Sequence, residues 1–422
     1  MLNLFALYAT KSKSSWYAVA LALSIGFILF FSFKIRKNIR SLVVISSITA
    51  IVVITGTILT FGSSLFTEKV PEHLQVTDSF TIRTYVWQGA LDLWKQYPVF
   101  GSGPETFAYA YYFTKPIEHN RTSEWDFVYN KAHNEFLHYL ATTGTLGFIS
   151  YLGVIVGTLM LCTQTKHALP FALVLSYISI LATNFFGFST TTIQLFFYLI
   201  PGMIIVITKK SHPDPRRKGS INKFAMTVIV LTTIILLGYV GRMYYADMLY
   251  TKAQVQATEE DYQSAAQLLM YAMNLKYEHV YEDKLSSYMA HMAFISSFEE
   301  GSTEEVIALI DRSKLYNAQA IARSPKNILY WRSKARNYYL YYQVSNDAQD
   351  LITAVDAMKY TTQLAPHDAQ GYYMTALFYS VLYGETQDVL YQEEALSFVK
   401  QALKLRPQYV EAKELLKNML SI

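Results

Sequence analysis

Two side chains in the first 150 residues have types suited to chemistry on a charged, activated substrate: Arg83 and His133. Arginine presents a planar fork that binds phosphate oxygens bidentately and never deprotonates. Histidine titrates near neutral pH and can take a proton from, or orient, a hydroxyl. Both fall in one long polar stretch, residues 63–144. Arg83 lies early in an expected helix, with Asp78 and Ser79 as its cap and Ile82, Tyr85, Val86, Ala90, Leu93 and Trp94 on one face. That helix ends at Tyr97 and Pro98, before a tight turn at Gly101, Ser102, Gly103 and Pro104. His133 stands with Asn134 shortly before the next apolar run. Each has a plainer reading. Arg83 can be a solvated cation or a partner of Asp78 or Glu135, and His133 can be a cap for the helix that follows. Lys11 and Lys13 are two further cations, suited to phosphate or to snorkelling at a membrane surface. The Gly101–Gly103 turn is not a phosphate loop, because no strand precedes it and the loop lysine is absent. His119, His138 and Glu118 lack metal-ligand spacing, so no metal is expected. The single cysteine, Cys162, excludes a disulfide framework and a cysteine-based zinc site.

The elements that must hold these side chains are mostly helices in a membrane. The chain has 422 residues, 52% hydrophobic and 16% charged, with a mean hydropathy of +0.17. Intrinsic disorder is excluded by that much apolar material. Six stretches approach the roughly 20 apolar residues that a span needs: 16–33, 41–62, 145–162, 169–186, 192–207 and 224–240. Pro170 and Pro201 leave the ends of the fourth and fifth uncertain. Residues 1–9 read as the end of a helix whose start is missing. The densest basic runs, 34–40 and 209–223, should face the cytoplasm. With six spans, 63–144 and everything after 241 then face outward. The outer loop carries 6 Lys+Arg against 9 Asp+Glu, as that rule expects.

Two unlike parts follow. Residues 1–241 hold 19 Lys+Arg and 10 Asp+Glu; residues 242–422 hold 17 and 22. The first is a membrane domain whose excess positive charge marks the cytoplasmic face rather than a nucleic-acid surface. The second shows helical periodicity, with Pro325, Pro366 and Pro407 spaced 41 residues apart, each between two amphipathic helices. Proline stops one helix and pre-sets the first turn of the next. Paired helices at a fixed period predict an α-solenoid, which would bind a protein partner or scaffold a complex. It is similar to tetratricopeptide repeats, with longer loops than their 34-residue period. The expected fold class is all-α, with polytopic transmembrane helices followed by the solenoid.

The order Arg83, Trp87, Ala90, Trp94, Pro98, Gly101, Gly103, then Ala132, His133, Asn134, Leu137, then Gly144 and Gly147 resembles the O-antigen ligase/polymerase family. That family often shows Thr-x-Ser-Arg upstream; here Thr10, Lys11, Ser12 and Lys13 place lysine at the arginine position. With flanking spans the resemblance reaches about residue 207. Family members usually have ten or more spans, more than are counted here, and several carry C-terminal tetratricopeptide repeats. The resemblance implies transfer of a glycan from an undecaprenyl-type lipid diphosphate carrier to an acceptor hydroxyl on a glycan or lipid. The reaction would take place at the outer face of a bacterial cytoplasmic membrane, without metal or cofactor. It implies that Arg83, with Lys13 and Lys11, binds the diphosphate and that His133 activates or positions the acceptor. Trp87, Trp94, Pro98, Gly101, Gly103 and Asn134 are expected to support that motif. Ligase and polymerase share the donor and differ in acceptor, so both stay open. A non-catalytic membrane-anchored scaffold is the remaining alternative.

Overall fold

The computed structural model of the chain describes residues 76–163, 168–208, 223–301 and 303–420, together with Ser24. Lys11, Lys13, the expected spans at 16–33 and 41–62 apart from Ser24, and the basic runs 34–40 and 209–222 lie outside the described residues. Every regular element among the described residues is helical, so the fold is all-α. The chain divides into two compact units, Met1–His212 and Pro213–Ile422.

In the first unit, α1 (Ser79–Gln96) leads to the short α2 (Phe107–Ala110) and two 3-10 turns, Tyr111–Phe113 and Ile117–Arg121. The buried face of α1 is the expected stripe of Ile82, Val86, Ala90 and Leu93, and it packs on Phe107, Tyr111, Tyr129 and Ala132. Gly89 lets α1 approach closely. A Cβ there would stand 2.4 Å from the Tyr111 ring. Three apolar helices follow: α3 (Glu135–Thr163), α4 (Ala168–Phe186) and α5 (Thr191–Thr208). They share a core of Tyr151, Ile155, Val174, Tyr177, Phe197, Ile200 and Ile204. Within α3, Glu135–Leu161 is long and apolar enough to cross a membrane, and so is α5; α4 is apolar over Ala172–Phe186. Pro201 stands inside α5, where packed membrane helices tolerate it.

One boundary differs from expectation. Helix α3 starts at Glu135 rather than near residue 145, and it is kinked at Gly144 (φ 66°, ψ −170°). The residues expected to close the loop form the first turns of the helix, because the side chain of Asn134 caps it by accepting from the Leu137 N–H at 3.0 Å.

The second unit begins with α6 (Lys223–Thr258), which is 36 residues long. Its most apolar stretch is long enough to cross a membrane and is not covered by protein, whereas Ala246, Leu249 and Ala253 are buried. The expected division at 241/242 falls inside this unbroken helix. Then come α7 (Tyr262–Leu275), α8 (His279–Ser296), α9 (Thr303–Arg323), α10 (Ile328–Ser345), α11 (Ala348–Leu364), α12 (Ala369–Thr386), α13 (Val389–Leu405) and α14 (Val410–Leu420). Their extensive pairings are α6 with α7, α8 with α9, α10 with α11 and α12 with α13.

The 41-residue interval seen in the prolines returns in three dimensions. It separates the starts of α10, α12 and α14, and those of α11 and α13. Fully buried alanines repeat with it, as in Ala335 with Ala376 and Ala354 with Ala395. So do the caps. Asp347 and Asp388 accept from the N–H two residues on, at 2.9 and 3.0 Å.

Candidate functional site

Arg83 lies one turn into α1, after Asp78 has satisfied the helix start by accepting from Phe80 and Thr81 N–H at 3.0 and 3.2 Å. Its guanidinium makes no ion pair among the described residues. One Nη donates instead to the carbonyl of Phe186 at 2.7 Å. Phe186 ends α4, where unpaired carbonyls and the negative end of the helix dipole favour a cation. Neither carboxylate expected as a partner takes that role. Asp78 is the cap, and Glu135 accepts from the Ser189 N–H at 3.1 Å and from Gln194 at 2.8 Å. Arg83 is thus fixed by a neutral backbone group, with no carboxylate in ion-pair contact among the described residues.

His133 is not the helix cap either, since Asn134 fills that position. The backbone of His133 is left-handed (φ 52°), a conformation that costs a non-glycine residue about 1 kcal/mol or more. Trp87, one turn beyond Arg83 on the same face of α1, donates its indole N–H to the His133 carbonyl at 3.3 Å. The imidazole sits edge-on between Tyr129 (ring centroids 5.7 Å apart) and Phe188 (5.2 Å). Burial pushes its pKa below the usual histidine value and the Arg83 charge pushes the same way, while Glu124 opposes them. The ring is therefore held towards the neutral form, which can accept a proton.

Phe188 belongs to the short connection between α4 and α5, and this connection is itself pinned by Glu135 through Ser189. One end of α1, the start of α3 and the α4–α5 connection thus converge on the Arg83–His133 region.

The rest of the motif serves a different purpose. In an unbroken helix Thr145 would donate to Ala141 and Leu146 to Thr142. The kink at Gly144 releases both donors and both acceptors, and the turn at 98–103 takes all four. Ser102 and Gly103 N–H donate to the carbonyls of Ala141 and Thr142 at 3.0 and 2.9 Å, and Thr145 and Leu146 N–H donate to those of Pro98 and Val99 at 2.8 and 3.3 Å. Glycine is required on both sides. A Cβ on Gly101 (φ 72°) would come within 2.3 Å of the Thr142 backbone, and one on Gly144 within 2.3 Å of the Val99 carbonyl. Trp94 closes this clasp by donating its indole N–H to the Thr145 hydroxyl at 3.0 Å, which in turn donates to the Pro98 carbonyl at 2.8 Å. Trp94, Pro98, Gly101 and Gly103 therefore lock α1 to α3, and Trp87 and Asn134 shape the histidine's surroundings.

Two groups beside the site carry no sequence signal of their own: Tyr129, which is buried, and Glu124, which accepts a hydrogen bond from its hydroxyl. His119 and His138 stand apart from Arg83 as core residues. His119 is fully buried, with Nδ1 2.7 Å from the Tyr111 hydroxyl. Burial, aided by the Lys115 charge, lowers its pKa from 6.5 to about 3.

The fold and this region define a membrane protein in which a polar segment, clasped onto a membrane-length helix, presents an arginine with no ion pair among the described residues beside a half-buried histidine. The model of the O-antigen ligase family matches residues 1–152, which take in α1, the clasp, His133 and the first part of α3. The N-terminal part of the chain is thus similar to the O-antigen ligase family. No curated protein matches the chain.

Proposed function

We propose that this protein transfers a glycan from a lipid diphosphate carrier of the undecaprenyl type to an acceptor hydroxyl, at the outer face of a bacterial cytoplasmic membrane. The observation that carries the reading is the pairing of Arg83, which makes no ion pair among the described residues, with a half-buried His133 whose carbonyl is held from the same helix. The donor is already activated, so the residues must stabilise a departing diphosphate and handle one proton. Arg83 meets the negative charge that develops on the leaving diphosphate oxygen. His133 accepts the acceptor's proton as the acceptor oxygen attacks the anomeric carbon. Attack from the side opposite the leaving group inverts that carbon. Lys11 and Lys13 would add positive charge for the diphosphate.

In the same reading the basic runs at 34–40 and 209–223 face the cytoplasm, and residues 63–144 and 242–422 lie outside. The 41-residue helix pairs form a tetratricopeptide-like solenoid with room for a protein partner.

The test replaces Arg83 or His133 by alanine in the native gene and follows surface polysaccharide on a periodate-stained gel. Loss of surface polymer in both variants is expected. Accumulated lipid-linked polymer assigns a ligase, and single repeat units assign a polymerase. Normal surface polymer in both variants overturns the transferase reading and leaves a scaffold.

A further inference from the structure

His133 has one charged neighbour that opposes its protonation and one that favours it. Arg83 acts on it from α1, Glu124 from the segment before α3, and the α4–α5 connection packs the apolar ring of Phe188 against it. A base in that position becomes an imidazolium once it has taken a proton. Beside an arginine and half-buried, that second positive charge is costly unless a carboxylate faces it.

Glu124 is placed for this by two anchors. The preceding residue, Ser123, is tied to Thr77 just before the cap of α1. The Thr77 N–H donates to the Ser123 hydroxyl oxygen at 3.1 Å, and the Ser123 N–H donates to the Thr77 hydroxyl oxygen at 2.9 Å. The carboxylate itself receives the Tyr129 hydroxyl. Tyr129 is only 3% exposed and is wedged among the rings of His119 at 5.3 Å, Tyr111 at 5.9 Å and His133 at 5.7 Å. Its hydroxyl is held protonated, as burial and the bond to Glu124 both raise its pKa. The tyrosine is thus a fixed donor that orients Glu124 while its own ring edge defines one wall for the imidazole.

We propose that Glu124 is a positioning residue of the transfer site: held by Tyr129, its carboxylate supplies the counter-charge for the imidazolium that His133 becomes. This rests on the reading of His133 as the base. In the step concerned, the acceptor O–H bond breaks and its proton goes to an imidazole nitrogen. The freed electron pair on oxygen bonds to the anomeric carbon, the bond from that carbon to the diphosphate oxygen breaks, and its electrons stay on the diphosphate facing Arg83. The proton then passes from His133 to water. Glu124 neither touches the sugar nor takes the proton; it stabilises the charge left on His133.

The test is a titration of His133 in the full-length chain in lipid nanodiscs, read by the imidazole C–H resonance that disappears in His133→Gln. In Glu124→Gln the midpoint should fall by roughly 0.5 or more on the pH scale, because Arg83 then acts unopposed. Arg83→Gln should move it the other way. Tyr129→Phe keeps the ring and should lower the midpoint by a smaller amount, and it serves if Glu124→Gln does not fold. An unmoved or raised midpoint in both Glu124→Gln and Tyr129→Phe overturns the proposal. The titration needs no glycan, so the two readings fail separately. Normal surface polymer in both His133→Ala and Arg83→Ala sinks the transferase reading, whereas polymer lost in His133→Ala with an unmoved Glu124→Gln midpoint sinks only the role of Glu124.

Discussion

Residues 76–163 hold their shape through left-handed backbone and locks between distant backbone groups, whereas residues 327–420 repeat their helix starts and acidic or amide caps at a 41-residue interval. In the first region Gly101, Gly103, Glu105, His133 and Gly144 all have positive φ, and none recurs at a regular spacing. In the second, the left-handed residues that end α10 and α12 are Asn346 and Gln387, again 41 positions apart. Strain concentrated around one place is typical of a site that must hold a particular geometry. A left-handed residue that recurs at helix ends is an ordinary way to close a helix. The two regions should therefore respond differently to substitutions of similar size.

The clasp offers the largest contrast. Gly101→Ala or Gly144→Ala sets a methyl group against backbone that cannot move aside and adds unfavourable φ. A loss of about 3 kcal/mol or more is expected, seen as thermal unfolding of the membrane half and loss of surface polymer. If both variants keep wild-type stability, the clasp is not what fixes α1 on α3. Arg83→Lys is next. It preserves charge but removes the fork, and surface polymer synthesis should drop by about ten-fold or more while the fold persists.

Within the helical repeats the effects should be smaller and graded by burial. Asp368 caps α12 through the Gly371 N–H at 2.9 Å and also pairs with Arg332. It is only 2% exposed, so Asp368→Ala should cost about 2–4 kcal/mol. Asp388 makes a similar cap at an exposed position, and its removal should cost about 1 kcal/mol. Equal melting shifts for these two would remove the distinction between a buried and an exposed cap.

The mildest test is pH, where the two regions should move in opposite directions. His119 has a folded pKa of about 3 against an ordinary 6.5. Its unfolded form binds the extra proton in that interval, so its contribution is complete above 6.5 and lost as pH falls towards 3. Asp283, in the repeats, is raised by burial from 3.8 to about 6. Its folded form holds the extra proton between those values, so its contribution is present below 3.8 and lost as pH rises through 6. Hydrogen exchange followed from pH 7 to roughly pH 4 should show the 76–134 segment loosening relative to the repeats. His119→Gln and Asp283→Asn should each flatten one side of that difference.

Much of the helical scaffold was legible because local signals decide it. Asp78 caps α1 as its type and place predict, and the prolines mark helix boundaries that the structure repeats at 41 residues. The clasp was not legible. Its bonds join backbone groups about 40 residues apart, and backbone carbonyls are the same in every sequence, so no pattern of side chains announces them. The same reason hid the acceptor of Arg83. Its expected partners were carboxylates, but the structure supplies the carbonyl of Phe186, a hundred residues away. Glu124 and Tyr129 were invisible for another reason: nothing in a spacing of five loop residues distinguishes a hydrogen-bonded pair from two unrelated ones.

Helix α6 carries a mechanical implication. At about 1.5 Å per residue its 36 residues make a rod of roughly 54 Å. One end is membrane-length and apolar, and the other is built into the core of the first helix pair through Ala246, Leu249 and Ala253. With no break between them, the span and the first pair share a single axis. The first helix pair is thus built onto the end of a membrane-length helix, and any tilt of that helix is also a tilt of the pair.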